Sequence, residues 1–283
     1  MSLLKSTIVA MAIAVAGTFP SHAQPNTVKM GTMQWEDLTP ISLVTKKFLE
    51  KNGFKVELKD FSEWGIAFAA LAKGDIDILT SQINYVAQDY WAKNRNRLEK
   101  ISAVSHGLRQ GLVVPSYMPI TSIEQLNEVA DQVGGKIIGI EPGSGLMRET
   151  ADAVKRYGLK YTLLEGSTAA MIAQLQASLQ RKAPIVTMLW EPSWMIQKFD
   201  VRFLEDPKGV FAPPQTYYWI GRRGFSAKNP RAREAIASVY LPLADITAIN
   251  AEMNAGKSVQ EAVDSWWRAN ADLVERWSVM ASD

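Results

Sequence analysis

Four aromatic residues lie near predicted strand ends or next to predicted chain crossings: Trp35, Trp64, Tyr117 and Trp190. They are far apart in sequence, yet a two-lobed fold could bring them to one cleft. Aromatic faces attract a quaternary ammonium ion by about 0.5–2 kcal/mol per ring. Such an ion donates no hydrogen bond and is therefore cheap to desolvate. The four residues thus indicate either a cation-binding cleft or, taken one by one, packing in a core.

Trp190 is the most informative of these aromatic residues. The apolar run 183–189 predicts a buried strand, and Pro192 ends it. The indole of Trp190 then lies at the carboxyl end of the strand, which is the edge where open α/β sheets bind their ligands.

Two polar features accompany the aromatic residues. Asp37 follows Trp35 in the first predicted turn and could accept a ligand hydroxyl, balance a cation or cap a helix. Gly143, Ser144 and Gly145 form a turn at the start of a predicted helix, where backbone amides can bind an anion. Glycine and serine are also common turn formers. The turn is not a dinucleotide fingerprint, because Arg148 stands where the third glycine belongs.

The elements that would position these residues alternate between strand and helix. The first half of the chain reads strand, helix, strand, helix, strand, over residues 28–33, 40–52, 55–59, 66–73 and 75–79. A second unit of the same kind covers 136–140, 146–157, 161–164, 168–180 and 185–189. A strand at 217–221 and three helices complete the chain. This order predicts parallel sheets with right-handed crossovers.

The predicted fold is α/β, with two lobes like those of a type II periplasmic binding protein and a ligand cleft between them. Proline-containing segments at 111–115 and 211–214 are the predicted crossings between the lobes. We therefore expect lobe I to contain residues 24–110 and 213–283, and lobe II to contain residues 111–212.

Residues 1–23 have the features of a cleavable signal peptide. Lys5 supplies the positive start, residues 7–19 are apolar, and the segment ends in Ser21-His22-Ala23. The apolar run of about 13 residues is shorter than the roughly 20 that a membrane helix needs. We expect cleavage after Ala23 and a periplasmic location.

The composition excludes several functions. The chain has no cysteine, so disulfides and thiol chemistry are excluded, and beyond the predicted signal peptide its one histidine is His106. His-dependent zinc sites and most Ser-His-Asp mechanisms are therefore not expected. With 31 basic and 29 acidic side chains, the near-neutral charge gives no reason to expect nucleic acid as a partner. We expect a monomer that is not an enzyme and that holds no cofactor or metal.

Several motifs, in this order along the chain, resemble those of the glycine betaine/choline substrate-binding proteins of ABC importers. They are residues 74–78 (GDIDI), 139–145 (GIEPGSG), 169–171 (AAM), 190–194 (WEPSW) and 204–208 (LEDPK), together with Trp266, Trp267 and Trp277. The resemblance covers essentially the whole chain after the predicted signal peptide. It implies a ligand cleft that closes between two lobes, and an inner-membrane permease with its ATPase as partners.

The resemblance also implies roles for individual residues. Trp35, Tyr117 and Trp190 match cage aromatics, Asp37 matches an acidic residue that contacts the hydroxyl of choline in choline-binding members, and Ser144 lies in the ligand-contacting turn. The chain departs from the family at Asn84, where many members have tryptophan, and at Ser193, where histidine is usual. Losing one ring would weaken a cage by up to about 2 kcal/mol, or about thirtyfold. Either Trp64 or Tyr85 replaces that wall, or Asn84 binds a more polar ligand.

The leading function is therefore the binding of a quaternary-ammonium osmolyte such as glycine betaine or choline, for delivery to a permease. The alternative within the same architecture is another betaine or amino-acid-like ligand: proline betaine, carnitine or histidine. A secreted α/β hydrolase is the remote alternative and would need a partner for His106 in the cleft, whereas the role we expect for His106 is a local hydrogen bond. Packing is the role expected for the tryptophans on predicted helices or the late strand: Trp91, Trp194, Trp219, Trp266, Trp267 and Trp277.

Overall fold

The computed structural model describes residues 27–84, 86–140, 142 and 144–282. The predicted signal peptide, its cleavage point, Tyr85 and Gly143 lie outside the described residues.

The described part of the chain contains nine strands. They are β1 (Thr27–Met33), β2 (Lys55–Phe61), β3 (Ile78–Ser81), β4 (Leu98–Pro115), β5 (Lys136–Ile138), β6 (Thr162–Leu164), β7 (Thr187–Glu191), β8 (Val201–Phe203) and β9 (Gln215–Arg222).

Eleven α-helices are present in the same described residues. They are α1 (Leu38–Lys51), α2 (Trp64–Lys73), α3 (Gln88–Asn94), α4 (Gly145–Tyr157), α5 (Thr168–Arg181), α6 (Trp194–Lys198), α7 (Phe225–Lys228), α8 (Pro230–Ser238), α9 (Leu243–Asn254), α10 (Val259–Ala269) and α11 (Ala271–Ser282). Two 3₁₀ helices, Ile123–Val129 and Asp131–Val133, follow β4. None of the described helices is long and apolar enough to cross a bilayer.

Two hydrophobic cores define two lobes. The core of lobe I runs from Val28 to Leu108 and from Tyr217 to Trp277, and the core of lobe II runs from Leu112 to Phe211. In lobe I, β1 pairs in parallel with β2 and β3, and β9 runs antiparallel to β3 and β4. In lobe II, β5 pairs in parallel with β6 and β7, while β4 runs antiparallel to β7 and β8. The predicted α/β, two-lobed fold is confirmed.

The strand β4 belongs to both lobes. Its first part, Leu98 to Leu108, pairs with β9 of lobe I, and its second part, Arg109 to Val113, pairs with β7 of lobe II. The sequence predicted the crossing in the proline-containing segment 111–115, with the boundary of the lobes at 110/111. The chain changes partners between Leu108 and Arg109, two residues before that boundary, and Pro115 is the last residue of β4. A β-bulge between His106 and Leu108, with Gly107 at a φ of +93°, marks the crossing.

The C-terminal region extends lobe I. The prediction of three helices here was wrong, because five lie between Phe225 and Ser282. Their tryptophans pack inside the lobe: Trp266 stacks on Trp277 at 5.9 Å, and Trp277 meets Phe48 of α1 edge-on at 5.6 Å. This agrees with the packing role expected for the tryptophans on predicted helices.

Candidate ligand-binding cleft

A cleft of about 510 Å³ lies where the chain crosses between the lobes. The lobe I wall consists of Gln34, Trp35, Glu36, Asp37, Gln82, Val86, Leu108, Gln215 and Tyr217. The lobe II wall consists of Arg109, Gln110, Thr168, Ile172, Trp190, Glu191, Trp194, Met195 and Ala212. Both walls carry aromatic rings, so a ligand between them contacts rings from both lobes.

Trp35 stands on the lobe I wall with a second tryptophan behind it. The turn that carries Trp35 is fixed to the sheet, because Gln34 N donates to Phe61 O at 3.2 Å and Thr39 N donates to Trp35 O at 3.0 Å. The Trp35 ring is 38% exposed and meets the ring of Trp64 edge-on at 5.3 Å. Trp64 is 7% exposed and belongs to the core of lobe I. Trp64 therefore supports Trp35 and does not line the cleft itself.

Asp37 is held by a buried hydrogen-bond network. Its Oδ2 accepts one hydrogen bond from the Tyr217 hydroxyl and another from Gln82 Nε2. The distance between Gln82 Nε2 and Asp37 Oδ2 is 3.3 Å. Burial raises the pKa of Asp37. The hydrogen bond from Tyr217 lowers this pKa, but the effect of burial is larger. Burial and the nearby Asp37 charge raise the pKa of Tyr217 well above its ordinary value, which keeps the phenol protonated as the donor.

Glu36 links the two walls. Its carboxylate accepts a hydrogen bond from the side chain of Trp190, so lobe I and lobe II meet across the cleft at this contact. Burial, followed by the neighbouring charge of Asp37, raises the pKa of Glu36, and the bond from Trp190 opposes this.

On the lobe II wall, Trp190 lies in β7 opposite Gln110 of β4. Arg109 and Glu191, the next pair along, form an ion pair with 2.7 Å between Nε and Oε2. The Arg109 guanidinium also lies 4.4 Å from the centre of the Phe203 ring. Arg109, the one arginine among the described lining residues, therefore already contacts a carboxylate and an aromatic ring.

Trp194 begins α6 on the same wall, immediately after the cap residue Ser193. The Ser193 side chain is fully buried, and its Oγ accepts from Met195 N at 3.3 Å. Ser193 was predicted as a ligand contact. In the structure its hydroxyl is used by the helix, because an N-terminal N–H there lacks an intrahelical partner.

Three further predicted site residues lie outside the lining. The exposed Asn84 forms a side-chain hydrogen bond with Tyr218. Ser144 caps α4, with its Oγ accepting from Met147 N at 3.2 Å, and Gly145 is the first residue of that helix. The start of α5 does reach the cleft, through Thr168.

Tyr117 lies in a separate depression on lobe II. It shares that depression with Lys182, Phe199 and Asp200, and its hydroxyl donates to Ala183 O at 2.7 Å. Because the crossing lies at Leu108, not at 111–115, about 23 Å of strand separates the crossing from Pro115. Tyr117 therefore lies apart from the residues that line the cleft.

The structure thus brings Trp35, Asp37 and Trp190 together, and it adds residues that the sequence analysis did not select. Trp194 was assigned to packing, Glu36 was not considered, and Tyr217 was treated only as part of a strand. A usable indication existed for Glu36, which lies between Trp35 and Asp37, and for Trp194, which is four residues from Trp190. Tyr217 offered none, since it reaches Asp37 from 180 residues away.

His106, the residue on which a hydrolase would depend, is not among the lining residues. Its Nδ1 lies 2.9 Å from the Thr216 hydroxyl, and its ring packs against Tyr240. This local hydrogen bond is the role that the sequence analysis predicted.

Residues 26–269 match the family model described as the substrate-binding domain of the ABC-type glycine betaine transport system. The chain belongs to this family. The resemblance drawn from the sequence motifs is thereby confirmed.

Relatives and solved structures agree with this assignment. The glycine betaine/proline betaine-binding periplasmic protein of Salmonella typhimurium is 26% identical, over 83% of this chain and 84% of its own length. The glycine betaine/carnitine transport binding protein GbuC of Listeria monocytogenes is 34% identical over 53% of this chain, and the match spans only 51% of GbuC.

Lactococcal OpuAC in its closed conformation with glycine betaine has a TM-score of 0.72 and 27% identity, covering 89% of this chain and 99% of OpuAC. The glycine/betaine/L-proline-binding protein ProX of Borrelia burgdorferi has a TM-score of 0.71 and 28% identity, covering 89% of this chain and 96% of ProX.

Proposed function

We propose that this protein binds a quaternary-ammonium osmolyte of the glycine betaine or choline type in the cleft between its lobes. It delivers this ligand to an inner-membrane permease driven by an ATPase. The observation that carries the proposal is the set of aromatic rings on both walls of one cleft: Trp35 and Tyr217 on lobe I, Trp190 and Trp194 on lobe II. The relatives named above bind betaines, and this supports the ligand class.

The energetics of this cleft fit a small methylated cation. Three rings supply roughly 2–6 kcal/mol by cation–π attraction, whereas micromolar binding requires about 8 kcal/mol. Burial of the ligand's three methyl groups, at about 0.8 kcal/mol for each carbon, adds about 2.4 kcal/mol, and polar contacts supply the rest. Trp194 and Tyr217 stand in for the tryptophan that many family members have at the position of Asn84, and for Tyr117, which lies outside the cleft.

Delivery of the ligand to the permease depends on closure of the two lobes around it. Because the cleft has walls on both lobes, a ligand that touches both stabilises the closed arrangement. The closed protein then docks on the permease as a periplasmic monomer. The binding protein itself performs no catalysis, which agrees with His106 bonding Thr216 outside the cleft.

Proline betaine or carnitine, each of which carries a carboxylate as glycine betaine does, is the second candidate. Thr168 at the first turn of α5 favours a carboxylate-bearing ligand over choline, because a helix N-terminus attracts an anionic group. Histidine, an amino acid without a methylated ammonium, would gain less from the aromatic rings.

The experiment that tests the proposed function is isothermal titration of ligand-free protein with glycine betaine and with choline. We expect wild type to bind at least one of them, and Trp190→Ala to weaken that ligand thirtyfold or more, because the variant loses a ring and the contact between the lobes. Trp267→Ala is the matched control, since that tryptophan lies on α10 under Lys47 and outside the lining. Equal affinities of wild type and Trp190→Ala would contradict the assignment of the cleft.

A thermal-shift panel identifies the ligand within the class. Glycine betaine, choline, proline betaine, carnitine and histidine would be compared at equal concentrations, because a ligand that binds only the folded state raises the unfolding temperature. Stabilisation by histidine alone would contradict recognition by aromatic rings.

A further inference from the structure

Two neighbouring carboxylates, Glu36 and Asp37, line the same wall, but the surrounding protein uses them differently. Asp37 accepts hydrogen bonds from the Tyr217 hydroxyl and from Gln82 Nε2, both at Oδ2. Two donors of the protein thereby occupy this oxygen. Asp37 therefore positions the Tyr217 ring, and a ligand hydroxyl would have to displace one of these donors to bind the same oxygen.

Glu36 has acceptor capacity left for a ligand. Within the described residues the hydrogen-bond donor given for its carboxylate is the side chain of Trp190, which leaves most of its acceptor positions for other groups. Trp190 is itself a wall of the cleft, so the Glu36 charge lies next to a ring that would contact the ligand.

The charges of the lining favour a ligand with a net positive charge. The titratable groups of the described lining are Glu36, Asp37, Glu191, Arg109 and the Tyr217 phenol. Arg109 and Glu191 neutralise each other at 2.7 Å. Glu36 and Asp37 remain. Burial raises the pKa of both carboxyl groups, which means that their surroundings disfavour the charged forms. A cation placed between the walls removes that penalty, whereas the carboxylate of a zwitterion restores it.

From this geometry we infer that Glu36 is a specificity-determining residue: its carboxylate selects a net cationic quaternary amine over a zwitterionic betaine. The same residue orients Trp190 by accepting its hydrogen bond. This inference rests on the proposed function, because it concerns the ligand of the same cleft.

The two roles of Glu36 are separable by substitution. Glu36→Gln keeps an acceptor oxygen for the Trp190 indole but removes the charge. Glu36→Ala removes both. Choline and glycine betaine are the matched probes, since each carries one trimethylammonium group and only the second carries a carboxylate.

We expect Glu36→Gln to weaken choline binding about tenfold, because the variant loses the attraction between the Glu36 charge and the cation. Glycine betaine binding should change less than about threefold, because Glu36 attracts its ammonium group but repels its carboxylate. Glu36→Ala should weaken both ligands, since Trp190 then loses its partner. Glu57→Gln, on the exposed face of β2, is the control and should leave both affinities unchanged. Titration calorimetry measures all affinities, with thermal unfolding to verify that each variant is folded.

The result that would overturn the inference is an unchanged ratio of choline to glycine betaine affinity in Glu36→Gln. That result, with wild type still binding a quaternary amine, removes the role of Glu36 and leaves the proposed function standing. If wild type binds neither probe, the proposed function falls, and the inference falls with it.

Discussion

The two walls of the cleft are built differently. The lobe I wall rests on buried contacts: Asp37 bonds Tyr217 and Gln82, and the core residue Trp64 supports Trp35. The lobe II wall rests on contacts nearer the surface, such as the pair between Arg109 and Glu191, whose arginine side chain is 51% exposed. Buried polar groups are costly to leave unpaired, whereas exposed ion pairs contribute about 0–1 kcal/mol.

This difference means that stability and binding are distributed unequally over the site. Substitutions in the lobe I wall should destabilise the fold and thereby affect binding. Substitutions in the lobe II wall should change binding with a smaller effect on stability. Substitutions in the two walls can therefore be compared with each other, and a substitution at Tyr117, which lies in neither wall, is the reference.

The largest effect on stability is expected from Asp37→Ala. Truncation leaves the Tyr217 hydroxyl and the Gln82 amide without their buried acceptor, which should lower the free energy of unfolding by about 2–4 kcal/mol. Urea denaturation followed by tryptophan fluorescence measures this. A loss below about 0.5 kcal/mol would show that the lobe I wall does not depend on this network, and the contrast between the walls would disappear.

On the lobe II wall, Ser193→Ala should have a smaller effect. The substitution removes the cap of α6, which costs about 1 kcal/mol at a typical N-terminus. Because Trp194 is the first residue of that helix, the affinity for the cleft's ligand should fall only a few-fold. Ser193→Thr keeps a capping hydroxyl and is the matched variant. If Ser193→Ala abolished binding at unchanged stability, the hydroxyl would be a ligand contact.

The smallest effect is expected from Tyr117→Phe. The variant loses the hydrogen bond to Ala183 O, which is worth about 0.5–1.5 kcal/mol, and nothing in the cleft changes. Ligand affinity measured by calorimetry should stay within twofold of wild type. A tenfold loss would place Tyr117 in the binding site after all.

The sequence allowed the fold class and part of the site to be predicted, because these depend on local pattern. The apolar run before Trp190 and the alternation of strands with helices both have short-range signatures. The residues Trp35 and Asp37 follow the first strand and accordingly lie at its carboxyl end, within the cleft.

The remaining features depend on contacts that are distant in sequence. The first part of β4 mixes polar and apolar residues and was not recognised as a strand, because it is stabilised by pairing with β9, more than a hundred residues later. The length of strand between the crossing and Pro115 then keeps Tyr117 away from the cleft. The burial of Tyr217 against Asp37 and the use of Ser193 as a helix cap likewise follow from tertiary packing.

The continuity of β4 also sets the length of the lever on which each part of lobe II would move. Trp190 is paired with Gln110, about 7 Å along the strand from Leu108, whereas the end of β4 at Pro115 lies about 23 Å away. For a rotation of lobe II about an axis through the crossing and perpendicular to β4, Pro115 therefore moves roughly three times as far as Gln110. A small rotation beside the ligand is thereby magnified towards the far end of the strand.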